Sequence, residues 1–223
     1  MIHWLIQTSD THPDLERGIP PGDLLDAVES ERFAALKVDK RRRDWLLGRW
    51  TAKHLLRSMM NSTIPLSDIP IRSREDGSPY SPQFPALSLS ISHARERAFC
   101  AAAADAVIGA DIETIEPRNP VFIDDYFTGD EQRIVARAAD RDTIVTAIWS
   151  AKEAASKAVR MGLRLDTRTI NCLIEPGAAR EWTPFHIEFD SRTLDRVAPA
   201  SGWWRAAEGF VLTLVALDTE VTA

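Results

Sequence analysis

The chain has little that would tie it to an oxidising compartment, a membrane or a nucleic acid. Only two cysteines, Cys100 and Cys172, occur in 223 residues, which excludes a disulfide scaffold and a CxxC metal site by count. Both lie in apolar stretches and are expected in the core. No uninterrupted apolar run approaches the roughly 18 residues of a membrane span, and no basic-then-apolar leader follows Met1. The expectation is a cytoplasmic protein with no membrane partner. Basic residues are in deficit, 27 Lys plus Arg against 33 Asp plus Glu for a net charge of -6, which argues against a general nucleic-acid binder. Gly/Ser linkers and low-complexity runs are also missing. The only punctuation is Glu116-Pro117-Arg118-Asn119-Pro120, so the domain boundary is drawn there, giving halves 1–116 and 117–223.

What is present is an ordinary core-forming composition, 44% hydrophobic and 27% charged. Against the acidic background stands one basic cluster, Lys40 to Arg43 followed by Arg49, Lys53 and Arg57. Helices are expected over Pro21 to Lys37 and Asp39 to Met60. In the second, Trp45, Gly48, Ala52, Leu55 and Met59 recur at helical spacing, leaving Arg42, Arg49, Lys53 and Arg57 to project together towards an anion. Leu87, Leu89 and Ile91 alternate with Ser88, Ser90 and Ser92 and end at His93, the pattern of a half-buried strand. Phe99 to Ala104 and Val107 to Glu113 read as two more strands, the latter placing Asp111 and Glu113 on one face. Thr128-Gly129-Asp130-Glu131 has capping-box form and opens a helix to about Ala139. A longer helix from about Asp142 to Met161, ended by Gly162, buries Ile144, Ile148, Ala151, Ala155 and Val159 and carries Trp149, Glu153 and Lys157 on a neighbouring stripe. Four strands follow, within 169–174, 185–189, 202–205 and 210–217. Helices followed by strands, twice over, make the fold class α+β, as two similar units.

Asp111, Glu113 and Glu153 form a carboxylate set suited to a hard cation such as Mg²⁺, whose remaining positions take water and phosphate oxygens. Such a site needs an anionic substrate. Arg49, Lys53, Lys152, Lys157 and His93 are the complementary groups that hold phosphates.

Three blocks in order, Ser90-Ile91-Ser92-His93, Ile108-Gly109-Ala110-Asp111-Ile112-Glu113 and Trp149-Ser150-Ala151-Lys152-Glu153-Ala154-Ala155-Ser156-Lys157, resemble those of the Sfp-type phosphopantetheinyl transferases. Asp76-Gly77-Ser78-Pro79 is similar to that family's G-K-P segment, with Ser78 where many relatives have Lys, and Leu47 to Lys53 is similar to its Gly-Arg helix. The resemblance spans roughly Arg41 to Leu165. It implies two α+β halves related by pseudo-twofold symmetry, with coenzyme A in the cleft between them. It also implies transfer of the 4′-phosphopantetheine arm of coenzyme A to a serine of an apo acyl or peptidyl carrier protein, releasing adenosine 3′,5′-bisphosphate. Carried over by motif, Asp111, Glu113 and Glu153 bind Mg²⁺, with Mn²⁺ as a substitute. Lys152 and Lys157 meet the pyrophosphate, Ser92 and His93 approach the 3′-phosphate, and Gly77, Pro79, Arg49 and Lys53 complete the coenzyme contacts. Glu153 is the candidate base and Glu113 its rival. Phe122, Tyr126, Phe127 and Arg133 are the candidate docking patch for the carrier, and the enzyme is expected to be a monomer. Two other readings stand beside this one: a coenzyme-binding protein without turnover, and a metal-dependent pyrophosphate hydrolase.

Overall fold

The computed structural model describes residues 1–161, 165–177, 179–192 and 199–218. The chain divides into two compact units, Met1–Ala104 and Asp105–Ala223. In the first, the strands β1 (His3–Thr8), β4 (Ser88–Ala94) and β5 (Arg97–Ala103) form an antiparallel sheet in the order β1-β5-β4. A short hairpin pairs β2 (Arg72–Ser73) with β3 (Pro79–Tyr80). A one-turn helix, α1 (Pro13–Glu16), is followed by α2 (Ala27–Ala34) and α3 (Asp39–Met59), and α3 lies on β5. The second unit opens with β6 (Ala106–Thr114), continues through α4 (Pro120–Tyr126), α5 (Gly129–Arg137) and α6 (Arg141–Ala158), and closes with β7 (Ile170–Leu173), β8 (Thr183–Phe189), β9 (Ala200–Ala207) and β10 (Phe210–Asp218). Its antiparallel sheet runs β6-β10-β9-β8-β7. The strand bearing Asp111 and Glu113 is therefore hydrogen-bonded to β10 in the second unit, whereas a boundary at 116 assigns it to the first.

The helices begin where their caps direct. Asp26 caps α2 and Thr128 caps α5, each in a reciprocal capping box with the residue three on, Glu29 or Glu131. The first helix is thus shorter than the 21–37 reading, because Asp26 sets its start. Asp140 caps α6, accepting from the Thr143 backbone N–H at 3.1 Å. The residue expected to end that helix, Gly162, lies outside the described residues. Ile144, Ile148, Ala151 and Ala155 form the buried stripe as expected, while Val159 caps the helix end and is only partly buried.

Two burial expectations change. Ser90 and Ser92 are buried, so β4 is covered on both faces and its small serines occupy the tighter one. In α3 the charged face is not a solvent face, since Arg49 and Lys53 turn inward beside Leu46, Leu47 and Leu56.

On the same helix His54 stacks on Trp50 with ring centroids 4.2 Å apart, and its Nδ1 lies 2.9 Å from the Trp50 carbonyl. Burial pulls the imidazole below its ordinary 6.5, partly offset by that carbonyl, with Arg57 adding repulsion. The unfolded chain therefore binds the proton more readily, and His54 contributes stability that is present above pH 6.5 and lost as pH falls through the depressed folded value. Between pH 7.5 and 5 the melting temperature of the wild type should fall relative to that of His54→Gln. Equal slopes in the two proteins would remove His54 as the cause.

Candidate active site

The densest polar cluster sits where α6 crosses β6. Asp111, only 4% exposed, accepts from Lys157 Nζ at 2.7 Å and from Ser150 Oγ at 2.8 Å. Lys157 also donates to the Ala110 carbonyl at 3.1 Å. Ser150 in turn lies 2.9 Å from the Thr213 hydroxyl of β10. Glu113, two residues on, accepts from the Trp149 indole N–H at 3.2 Å and from Arg118 at 3.4 Å. The Trp149 ring packs edge-on to Phe122 and Tyr126 of α4, at 4.9 and 5.4 Å.

The crossing is close because it is built from small residues. Ala147, Ala151, Ala154, Ala155 and Ala158 are buried on α6, and Gly109 faces them from β6: a Cβ there would stand 1.8 Å from the Ala154 carbonyl oxygen. Strand alternation then sets Asp111 and Glu113 on the line of Gly109. Helical spacing sets Trp149, Glu153 and Lys157 on one line of α6.

Electrostatics tie the three carboxylates together. Burial, then the charge of Asp111, pushes the Glu113 carboxyl above the ordinary range, with Arg118 and Trp149 pulling back and Glu153 adding repulsion. Burial and Asp111 likewise raise Glu153, with Lys157 opposing. Two raised carboxyls beside the charge of Asp111 fit a hard divalent cation as counter-charge. They are not drawn into a finished cage: among the described residues no three His, Cys, Asp or Glu side chains are gathered closely enough to hold a metal ion.

Two expected phosphate ligands are structural. Lys152 is fully buried, its ammonium held by Glu131 at 2.9 Å and the Thr167 and Ile170 carbonyls at 2.7 and 2.6 Å, so its three donors are occupied. Lys53 is also fully buried, held by Glu29 and the Leu24 carbonyl. Neither has an exposed face for a phosphate. Arg49 lies over the Trp45 ring, with its Nε 3.6 Å from Glu29, and burial lowers its pKa against the pull of that carboxylate. It still borders a cavity of about 220 Å³ that Arg32, Arg72 and Ser73 share.

In the first unit β4 leaves His93 exposed beside buried Ser92. Gly77, at φ +85, makes the turn between β2 and β3, a conformation that favours glycine. Asp76 accepts from both the backbone N–H and the hydroxyl of Ser78, at 2.8 and 2.6 Å. Ser78 thus locks the turn ahead of Pro79 through a neutral side chain.

Two family models match these segments in chain order: the 4′-phosphopantetheinyl transferase N-terminal domain over residues 29–104 and the 4′-phosphopantetheinyl transferase superfamily over residues 107–214. The chain belongs to the phosphopantetheinyl transferases. Together the two matches span both units, the arrangement of the Sfp-type members that the motifs resemble. A curated relative, the 4′-phosphopantetheinyl transferase psf-1 of Bacillus pumilus, is 30% identical over 160 residues, covering 70% of this chain and 66% of that protein, just under two thirds of its length. Among solved structures, the holo-acyl-carrier-protein synthase of Neisseria meningitidis is 21% identical, with TM-score 0.42 over 50% of this chain and 97% of its own. That of Bacillus anthracis, a complex with CoA (3′,5′-ADP), is 22% identical, with TM-score 0.39 over 45% and 91%.

Among phosphopantetheinyl transferases the docking face is the remaining expectation, and its residues separate. Phe127 is core, 2% exposed. Tyr126 is exposed and Phe122 partly buried against Trp149, while Arg133 is exposed and paired with Asp130. Among the described residues no helix is long and apolar enough to cross a membrane. The sequence reading missed Ser150, Arg118 and Glu131 as partners of motif residues. Only the capping box at Glu131 left a signal.

Proposed function

We propose that this chain transfers the 4′-phosphopantetheine arm of coenzyme A to a serine hydroxyl of an apo carrier protein, leaving adenosine 3′,5′-bisphosphate. One observation carries the reading: Asp111, paired with Lys157 at 2.7 Å, sits beside Glu113 and Glu153 closely enough that its charge raises both, within the segment matched by the superfamily. Asp111, Glu113 and Glu153 would hold Mg²⁺, which supplies Lewis-acid polarisation of the pyrophosphate when bound.

The chain's own groups do the rest. The two oxygens of Glu113 are engaged by Trp149 and Arg118, so Glu153 is the better-placed base for the serine proton. The serine oxygen bonds to the β-phosphorus, the bond from that phosphorus to the bridging oxygen breaks, and the electron pair leaves with the bisphosphate. Lys157, partly exposed, faces the charge that develops on that leaving group. In the first unit Arg49, Ser92, His93 and the backbone of Gly77 to Pro79 are the coenzyme contacts. Exposed Tyr126 and Arg133 are offered to the carrier.

The test is mass spectrometry of apo acyl and peptidyl carriers incubated with the chain, coenzyme A and Mg²⁺, with and without a chelator. The expected result is one added phosphopantetheine per carrier, lost on chelation. No addition with coenzyme A still bound would favour a binding protein, and bisphosphate released without any carrier would favour a hydrolase.

A further inference from the structure

Each unit contains a buried glutamate–lysine pair, and the two pairs are built alike. In the second unit Glu131 Oε2 closes the α5 capping box on the Thr128 N–H at 2.7 Å and takes Lys152, while Oε1 accepts from the Cys172 N–H of β7 at 2.7 Å. In the first, Glu29 Oε2 closes the α2 capping box on the Asp26 N–H at 3.2 Å and takes Lys53, while Oε1 accepts from the Ile71 N–H at 3.2 Å. The lysines sit in matching words of the long helices, Trp50-Thr51-Ala52-Lys53 and Trp149-Ser150-Ala151-Lys152. Each carboxylate thereby joins a short helix, a long helix and the chain segment beyond it.

In the second unit the long helix is the one that carries Glu153 and Lys157. Lys152 is the residue before Glu153, and its ammonium goes into Glu131 and the carbonyls of Thr167 and Ile170. Glu131 lies on α5 and touches none of Asp111, Glu113, Glu153 or Lys157. A slip or roll of α6 would leave both charges buried without partners, so the pair admits one placement of the helix. That placement is the one in which Ser150 and Lys157 both meet Asp111.

We propose that Glu131 and Lys152 are positioning residues of the transfer site: together they fix the register of α6 so that Glu153 and Lys157 meet Asp111, and Lys152 does not touch the coenzyme's phosphates. This rests on the transferase reading above. The unit-one pair, Glu29 and Lys53, does the same for α3, which carries Arg49.

The test compares Lys152→Met, Glu131→Gln, their combination, and the apolar pair Glu131→Leu with Lys152→Met, using the full chain, an apo carrier and coenzyme A, below each variant's melting temperature. Either single change should lower kcat about 10- to 100-fold, the cost of a small misplacement at a reacting centre. KM for coenzyme A should stay within about two-fold, because no phosphate contact is lost. The combined variant should be no worse than the worse single one, since both remove the same interaction. The apolar pair should recover part of kcat, which a lost phosphate contact could not do; it also carries the test where a single variant leaves a charge buried and does not fold. A tenfold higher KM in Lys152→Met with Glu131→Gln unchanged would overturn the proposal and restore Lys152 to the phosphates. So would single effects that multiply in the combined variant. Wild-type protein that modifies no carrier would instead overturn the transferase reading, and this inference with it.

Discussion

Asp111→Ala is expected to reduce carrier modification by about 100- to 1,000-fold or more, on the scale of several kcal/mol that a Lewis-acid contact gives to a transferring phosphoryl group. The change removes the acceptor of Lys157 Nζ at 2.7 Å and of Ser150 Oγ at 2.8 Å. It also removes the charge that raises both Glu113 and Glu153. Loss of activity could then come from chemistry or from a disturbed crossing of α6 and β6, and Asp111→Asn separates the two. Asparagine keeps the size and an oxygen for Ser150 but carries no charge, so it should fold like the wild type and transfer almost as poorly as alanine. The measurement is the rate of mass gain on an apo carrier, beside a melting curve for each protein. An Asp111→Asn protein retaining more than about a tenth of the wild-type rate would mean that Asp111 serves only the packing of Ser150 and Thr213.

Gly109→Ala should have the largest effect on stability of any single methyl added to a glycine among the described residues. The new Cβ would stand 1.8 Å from the Ala154 carbonyl oxygen and 2.9 Å from both the Ala154 carbonyl carbon and the Ala158 nitrogen. All three are helix backbone, so no side chain can swing aside. The strand and the helix must separate, and Asp111 and Glu113 move away from Glu153 and Lys157 as they do. A loss of about 3 kcal/mol or more is expected, at the upper end for overpacked sites. For a chain of this length that lowers the melting temperature by roughly 6 to 12 °C. Gly202→Ala is the comparison, since the three atoms nearest its Cβ all belong to the Phe185 ring, from 2.5 Å, and a side chain can give way where a helix backbone cannot. Circular-dichroism melts of the two variants should therefore differ clearly. An unchanged melt for Gly109→Ala would show that α6 does not lie so close on β6.

Much of this was legible in the chain because the signals are local. Three- and four-residue spacing marked α3 and α6, the capping box marked α5, and alternation marked β4. The fold class and the G-x-D-x-E and W-S-x-K-E blocks followed from those same stretches. The strand β1 was not seen, being six residues in a region with no alternating pattern, and α4 was taken as part of a proline junction. Two cations turn from their expected direction for a different reason. Lys53 and Lys152 sit on faces that periodicity assigns to solvent or ligand, but a charged residue is buried when a distant partner meets it, and Glu29 and Glu131 are distant in sequence. The clue was in the sequence, since both acids occupy the third position of a capping box and both lysines end the same four-residue word.

The two thiols have a practical bearing. Cys100 is buried in β5 with its Sγ turned towards the Gly48 carbonyl, and burial pushes the Cys172 thiol far above its ordinary value. Thiolates are the reactive species, so neither residue competes for a maleimide or an oxidant while the protein is folded. A single cysteine introduced at an exposed position such as Val121 on α4 would then be the one labelled group on the native protein, and a fluorophore placed there would test whether a carrier arrives beside Tyr126.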